Sequence, residues 1–438
     1  MKAAEFKAVL EELTPKQRKV LNAFLAGQAD AEIAASLVVE PSTVRRHLAN
    51  IGKAFALSNE AGEHYSYRED LINLFIRHQP ERVQIDLRKG SLASSREPEF
   101  PGSPLIAQSP FYIPRAPIEE RCIQEIRKPG ALLRIRGPQC MGKTSLLQRL
   151  MAAARSMGYH TVRLNMRQAE PPCLASIDTF LRWFCTHLSL KLDRPANLDL
   201  QWDKERFGSL VSCTIYVQVH LLAHLKQNLL LALDDVDWLF EFPAIAQGFF
   251  ALLRSWHEDA KNLEIWQHLR LVAAHSTEAY IPLPLHQSPF NVGLPIRLSA
   301  LTRLQVETLT QRYGLDLTTV NLDRLMALVG GHPYLIQLAL YHLYRDDISF
   351  TKLLETAPTQ GDIYSHHLRH CWQTLNAHPP LLAALQRIIA AEPVAPQLDP
   401  ILAYKLESMG LVYLQGDRIQ LSCDLYRRFF RSTPESAL

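Results

Sequence analysis

Apolar positions change their spacing along this chain, and the changes divide it. Over residues 5–78 the spacing is helical: Val20, Leu21, Phe24, Leu25, Ile33, Ala34, Leu37, Val44, Leu48 and Ile51 recur as one face of short helices sharing a small core. Periodicity fails over about 83–117, where Pro98, Pro101, Pro104, Pro110, Pro114 and Pro117 with Gly90 and Gly102 predict an extended linker. From 118 to 300 short apolar runs alternate with helical stretches, which predicts an α/β layered domain with strands at 131–135, 160–164, 229–233, 269–274 and 294–298. Beyond 300 helical spacing dominates until a strand-like pair, 411–414 and 418–421, bends at Gln415-Gly416-Asp417. No internal repeat or low-complexity segment is evident.

The first strand-to-helix junction carries chemistry. Gly137-Pro138-Gln139-Cys140-Met141-Gly142-Lys143-Thr144 fits GxxxxGK[ST] without a mismatch, follows the first apolar run and opens a helical stretch over 145–157. Glycines let backbone N–H groups curl round a phosphate, and the helix N-terminus adds partial positive charge. The pattern predicts ATP or ADP on this loop and Ser145, with Lys143 at the β/γ oxygens and the Thr144 hydroxyl as a Mg2+ ligand. The apolar run at 229–233 ends in Asp234-Asp235, which assigns Asp234 to holding the metal through water and Asp235 to polarising an attacking water; capping a following helix is the alternative. The next run ends in His275-Ser276-Thr277, where Ser276 or Thr277 either inspects a γ-phosphate from the neighbouring strand or caps the turn.

Composition narrows the class. A chain of 438 residues suggests two to four domains, and 47% apolar with 21% charged residues describes a soluble globular protein. A net charge of +3 does not by itself announce a nucleic-acid partner. No apolar stretch is read as approaching the ~20 residues that span a bilayer, so no membrane partner is expected. The start, Met1-Lys2-Ala3-Ala4-Glu5, lacks a signal-peptide apolar region. Seven scattered cysteines without CxxC spacing, one of them Cys140 in the loop, point to a reducing cytoplasm rather than a zinc site or a disulfide framework.

Taken in order, Ser109-Pro110-Phe111-Tyr112-Ile113-Pro114-Arg115, the phosphate loop, Leu233-Asp234-Asp235-Val236-Asp237, Gly330-Gly331-His332-Pro333 and the ending from Leu421 to Phe430 resemble the bacterial AAA-like domain family. That family is common in cyanobacteria and is similar to the STAND signalling ATPases. The resemblance implies a multidomain protein: a P-loop core with a parallel sheet (118–300), a helical lid (301–375) and a C-terminal winged helix (376–438) that closes over nucleotide. It implies Phe111 and Arg115 near the adenine and Pro333 near the base, although Gly-Gly-His-Pro also suits a helix stop and restart. STAND proteins often carry an arginine after the polar pair, whereas Glu278 follows Thr277 here. No clear arginine finger is present, and Arg297 and Arg303 are candidates by position only. A slow switch is therefore expected rather than a motor.

Residues 1–82 predict an all-α module. Leu13-Thr14-Pro15-Lys16-Gln17-Arg18, Glu32-Ile33-Ala34 and Thr43-Val44-Arg45-Arg46-His47-Leu48 resemble LuxR-type and sigma-factor helix-turn-helix domains. Pro41 suits the first turn of a recognition helix that would present Ser42, Thr43, Arg45 and Arg46 to DNA, while Glu40 replaces the usual serine cap. Basic residues barely outnumber acids over 1–60, and the unit also resembles the N-terminal domain of vWA-MoxR-associated conflict-signalling proteins, where an adaptor role is implied. The expectation is an ATP-operated signalling switch that relies on partner proteins for sensing and output and forms nucleotide-dependent homo-oligomers. Its rivals are a DNA-bound regulator of transcription or mobile-element movement, and a scaffold that keeps nucleotide as a structural cofactor.

Overall fold

A computed structural model of the chain describes residues 6, 9–10, 12–26, 28, 30–55, 57, 71, 74–75, 78–79, 97–276, 292–359, 361–391, 397–415 and 418–432. Two compact units result, the first built from the N-terminal hundred residues and 109–111, the second from the rest.

In the first unit, helices α1 (Pro15–Leu25), α2 (Asp30–Leu37) and α3 (Pro41–Ala54) follow one another. Helix α1 opens on a capping box in which Thr14 and Gln17 each satisfy the other's backbone N–H, with Pro15 in the first turn. Glu40 stands at the N-cap of α3 and makes no side-chain capping bond, so that end is the weaker one. Between α2 and α3 the exposed Val38 takes φ 52°, a left-handed conformation that strains a β-branched residue. The core holds the residues that the helical spacing picks out, with Leu37 partly buried. Phe6 adds to it, packing on Phe55 and Phe75 with ring centroids 5.4 and 4.9 Å apart.

The second unit begins with α4 (Ile118–Arg127), β1 (Leu132–Arg136), α5 (Lys143–Ser156), β2 (His160–Asn165), α6 (Ile177–Lys191) and α7 (Lys204–Ile215). It continues through β3 (Leu229–Asp234), α8 (Pro243–Asp259), β4 (Leu269–His275) and β5 (Leu294–Arg297). The five strands form one parallel sheet in the order β2-β3-β4-β1-β5. Each predicted run lies within one residue of its strand at either end. Central β3 and β4 are buried along their whole length, which is why β3 reads as an apolar run up to Asp234 and β4 as one broken inside only by Arg270, whose buried guanidinium donates to the Ile126 carbonyl and to Asn228 Oδ1. Leu229, Leu231 and Leu233 share a core with Phe180 and Phe184 of α6 and Phe249 and Trp256 of α8. Leu230 and Ala232 share the other with Leu146, Leu147 and Leu150 of α5. The aromatic runs at 181–185 and 249–250 are thus core.

Helix α7 corrects one expectation. The stretch Lys204–His224 is long and apolar enough, by length and composition, to cross a membrane. Ser209, Ser212, Thr214 and Gln218 interrupt its apolar positions and hide the run from a count of consecutive hydrophobics. Gly208 breaks its helical geometry at φ 74°, and a π-helical turn, Tyr216–Leu221, ends it.

After the sheet come α9 (Arg303–Arg312), α10 (Thr319–Val329), α11 (Pro333–Tyr344), α12 (Phe350–Thr356) and α13 (Ser365–Asn376). Then follow α14 (Pro379–Ala391), α15 (Pro400–Ser408), the antiparallel pair β6 (Val412–Gln415) and β7 (Arg418–Leu421), and α16 (Asp424–Ser432). Gly416 and Asp417 of the predicted bend lie outside the described residues, as do 83–96 of the predicted linker. Its later part is fixed to α5: the Leu105 N–H donates to Ser145 Oγ at 3.0 Å, and Arg149 donates to the Ala107 carbonyl.

Candidate phosphate-binding site

A parallel sheet brings all strand carboxyl ends to one edge, and the candidate residues gather there. The loop after β1 turns on Cys140 (φ 60°) and Gly142 (φ 89°). Gly142 N-caps α5, which leaves the N–H groups of Lys143, Thr144 and Ser145 without intrahelical acceptors at the positive end of the helix. Lys143 is buried, and its ammonium donates to the carbonyls of Gly137 (2.9 Å) and Pro138 (2.8 Å). Burial lowers the Lys143 pKa, opposed by Asp237 and more weakly by Asp235 and Asp234. Ser145 Oγ accepts the Leu105 N–H, and the Ser145 main-chain N–H stands at the start of α5 without an intrahelical acceptor.

Arg115 is held against this loop. Its main-chain N–H is gripped by both Glu119 carboxylate oxygens at 2.9 Å, and its Nη2 donates to the Met141 carbonyl at 2.8 Å. Its guanidinium lies 3.5 Å from where a Cβ on Gly142 would stand, and its buried Nε has no partner among the described residues. Phe111 is buried as well.

Two acids end β3. Thr144 Oγ1 lies 3.1 Å from Asp234 Oδ2 and 3.3 Å from Oδ1, joining the loop to the strand 90 residues later. Arg163 of β2 donates to Asp234 Oδ2 through Nη2 (2.7 Å) and Nε (3.1 Å), and the Asp235 N–H reaches Oδ1 at 3.2 Å. Asp235 sits in the left-handed region (φ 52°, ψ 41°) and makes no side-chain bond to the turn it precedes, so helix capping does not account for it. Asn165 donates to Asp235 Oδ2 at 3.0 Å, and Arg167 Nε stands 3.7 Å from the same oxygen. Ser276 follows β4, the strand between the loop strand and the acid strand, and its N–H donates to Asp237 Oδ1 at 3.0 Å. Thr277 and Glu278 lie outside the described residues.

The Gly-Gly-His-Pro stretch is a helix stop and restart: Gly330 closes α10 at φ 63°, and the buried Pro333 opens α11. It also reaches the loop. His332, 8% exposed, lies close to the Gln139 main chain, and burial followed by the neighbouring His367 lowers its pKa to about 3. His367, lowered by burial to about 4, pairs through Nε2 with the Tyr426 hydroxyl of α16 at 2.8 Å. His332 lines a cavity of about 180 Å3 with Pro138, Met141, Ser422 and Tyr426, and its Nδ1 has no partner among the described residues. The two arginines singled out by position are ion-paired, Arg297 with Glu407 at 2.7 Å and Arg303 with Asp323. Arg163, Asn165 and His332 escaped the sequence reading; His332 alone carried a signal, its place inside the glycine-proline motif.

On α3, Ser42 and Arg46 are exposed while Thr43 and Arg45 are half-buried, with Arg45 Nε 3.7 Å from Asp30 Oδ2.

The arrangement suits a phosphate ester with a hard cation. Left-handed loop residues leave room for backbone N–H groups, an unpartnered guanidinium nitrogen is buried beside them, and the facing donors are a hydroxyl and a carboxylate, ligands that Mg2+ prefers. The Walker-type ATPase of Pyrococcus abyssi is similar in fold, with TM-score 0.50 at 12% identity, covering 73% of this chain and 96% of that one. The Aeropyrum pernix ORC2 protein, solved as ADPNP-ADP complexes, is more distant (TM-score 0.39, 16% identity, 73% and 96% covered). A Signal Transduction ATPase with Numerous Domains from Pyrococcus horikoshii, bearing a tetratricopeptide repeat sensor, is more distant still (TM-score 0.31, 15% identity, 74% and 44% covered). Nothing among curated proteins matches the chain. Residues 11–61 match the family described as bacterial regulatory proteins, luxR family, and residues 100–432 match the AAA-like domain. The chain belongs to the AAA-like domain family and carries a luxR-type helix-turn-helix at its N-terminus.

Proposed function

We propose that this protein is a nucleotide-operated switch that binds ATP or ADP on residues 137–145 and hydrolyses ATP slowly. The observation that carries the reading is the junction of Thr144 with Asp234, which sets a hydroxyl and a carboxylate beside the buried ammonium of Lys143. Thr144 and Asp234 would hold Mg2+, which neutralises phosphate charge when bound. Asp235, oriented by Asn165, is the group to take a proton from an attacking water. Arg115 and His332 would tie the nucleotide state to the segments before and after the sheet. In this reading 301–375 form a lid and 376–438 a winged helix. The His332–His367–Tyr426 contacts support a path from the loop to the last helix. The test is binding of ADP and of a non-hydrolysable ATP analogue to the full chain, with and without Mg2+, alongside Lys143→Ala. Equal affinity in both proteins rejects the loop as the site.

A second reading concerns the output. The luxR-family match and the exposure of Ser42 and Arg46 on α3 favour DNA as the partner of the N-terminal unit over a protein adaptor. The protein is then a regulator whose assembly on DNA follows nucleotide state. Sizing the protein with ADP, with the analogue, and with DNA added to each checks this; a size that never changes counts against it.

A further inference from the structure

Asp234 is the residue assigned to the metal, yet both its carboxylate oxygens already have partners, Oδ2 most of all. Oδ2 takes two N–H groups from Arg163, at 2.7 and 3.1 Å, and lies 3.1 Å from the Thr144 hydroxyl. Oδ1 takes the Asp235 N–H at 3.2 Å. The carboxylate side chain is 2% exposed, so its charge needs a cationic partner. The Arg163 side chain is 32% exposed, at the end of an edge strand, and has a path outward that Asp234 lacks. Residues 163 and 165 share one face of β2 and stand in register with Ala232 and Asp234; from there Arg163 reaches along to Asp234, and Asn165 reaches Asp235, which has turned out of the strand at φ 52°. The edge strand thus supplies a partner for each acid in turn.

Resting on the nucleotide-site reading, we propose that Arg163 is a positioning residue that acts as a built-in counter-cation: it occupies Asp234 Oδ2 in competition with the metal and thereby weakens and gates metal entry. A guanidinium donating to Oδ2 at 2.7 Å competes for that oxygen with a divalent ion or the water it carries, so a hydrated metal that takes Oδ2 has to displace Arg163 toward solvent. The alternative is supportive: an arginine that only orients Asp234 for the metal. The two roles have opposite signs. Removing a competitor tightens metal binding, whereas removing a support weakens it by about 10–100-fold.

The test uses the full chain, first measuring ADP binding in EDTA and then titrating Mg2+, or Mn2+ followed by spin resonance, at saturating ADP. Arg163→Gln is expected to melt at a lower temperature than the parent in EDTA, to gain more from added metal, and to reach half-saturation at about tenfold lower metal concentration. Arg163→Lys keeps a cation at the position and is expected to restore a metal midpoint close to the parent's. A midpoint in Arg163→Gln that is unmoved or shifted to higher metal, with ADP still bound, overturns the proposal and leaves the nucleotide reading standing. ADP failing to bind the parent overturns both together. Should Arg163→Gln fail to fold, the lysine variant and Arg163→Met, which retains side-chain length, decide the sign.

Discussion

The carboxyl edge of the sheet and α3 both carry charged residues that the proposed function sets against an anionic ligand, and they hold those charges in opposite ways. At the sheet edge Lys143 and Asp234 are buried, and Lys143, Asp234 and Arg163 are each bonded to fixed partners. On α3, Arg46 is exposed and the half-buried Arg45 has its Nε 3.7 Å from Asp30 Oδ2. A buried charge must be solvated by the protein itself, so the sheet-edge groups take part in the fold as well as in any ligand chemistry. A surface charge is solvated by water and can be removed with little effect on folding. Ligand chemistry and stability should therefore move together in one region and separate in the other.

The largest effect is expected at Asp234. Replacing it by Ala strands Arg163 beside β3 and removes the carboxylate facing Thr144, so stability falls by about 2–3 kcal/mol, discounted from the cost of breaking a fully buried pair because Arg163 is partly exposed. Magnesium-dependent nucleotide binding is lost with it. Denaturant unfolding and nucleotide titration check both arms, and an unchanged unfolding midpoint breaks the comparison. Lys143→Ala comes next: nucleotide affinity falls by about 100-fold while stability drops by only about 1 kcal/mol, since two loop carbonyls lose a donor and an unfavourably buried cation disappears together.

Asp235→Asn sharpens the contrast within the sheet edge itself. The amide keeps the size of the side chain but cannot take a proton, so nucleotide and metal binding persist while single-turnover hydrolysis slows by about 100-fold. Equal rates would move the proton acceptor elsewhere.

Acid should strain the sheet-edge region selectively. His332 and His367 titrate in the folded chain at about 3 and about 4, below the ordinary histidine value of 6.5. The unfolded chain therefore binds protons first, and the stability these groups contribute is complete above about pH 6.5 and is lost as pH falls toward 4. The slope approaches about 1.4 kcal/mol per pH unit for each group at most. Melting temperatures from pH 7.5 to 4.5 check this, with His332→Gln expected to flatten the curve. A parent curve already flat over that range contradicts the burial of neutral imidazoles.

The smallest stability effect belongs to α3. Arg45→Ala with Arg46→Ala should leave unfolding within about 0.5 kcal/mol of the parent while lowering the salt slope of DNA binding by about two. A DNA site whose occupancy ignores the double substitution assigns this helix to a protein partner.

What the sequence by itself determined is local. The five strand runs, the loop motif and the helix-turn-helix core each depend on spacing within some ten to fifty residues, and burial enforces such spacing wherever a strand or helix has an apolar face. Gly330 and Pro333 were legible for the same reason, since a helix stop and restart needs those residue types at those places. Tertiary structure alone decided the rest. Arg163 meets Asp234 across 71 residues because the parallel register of β2 on β3 brings their ends together. Composition within 160–164 holds no trace of that pairing, as an arginine on an edge strand ordinarily faces water. His332 touches the loop, Arg115 lies against Gly142 and Ser145 turns to Leu105 because separate segments pack there. A motif records what a ligand demands of neighbouring backbone, whereas the counter-charges around it come from whichever distant side chains the packing delivers, and packing is a property of the whole fold.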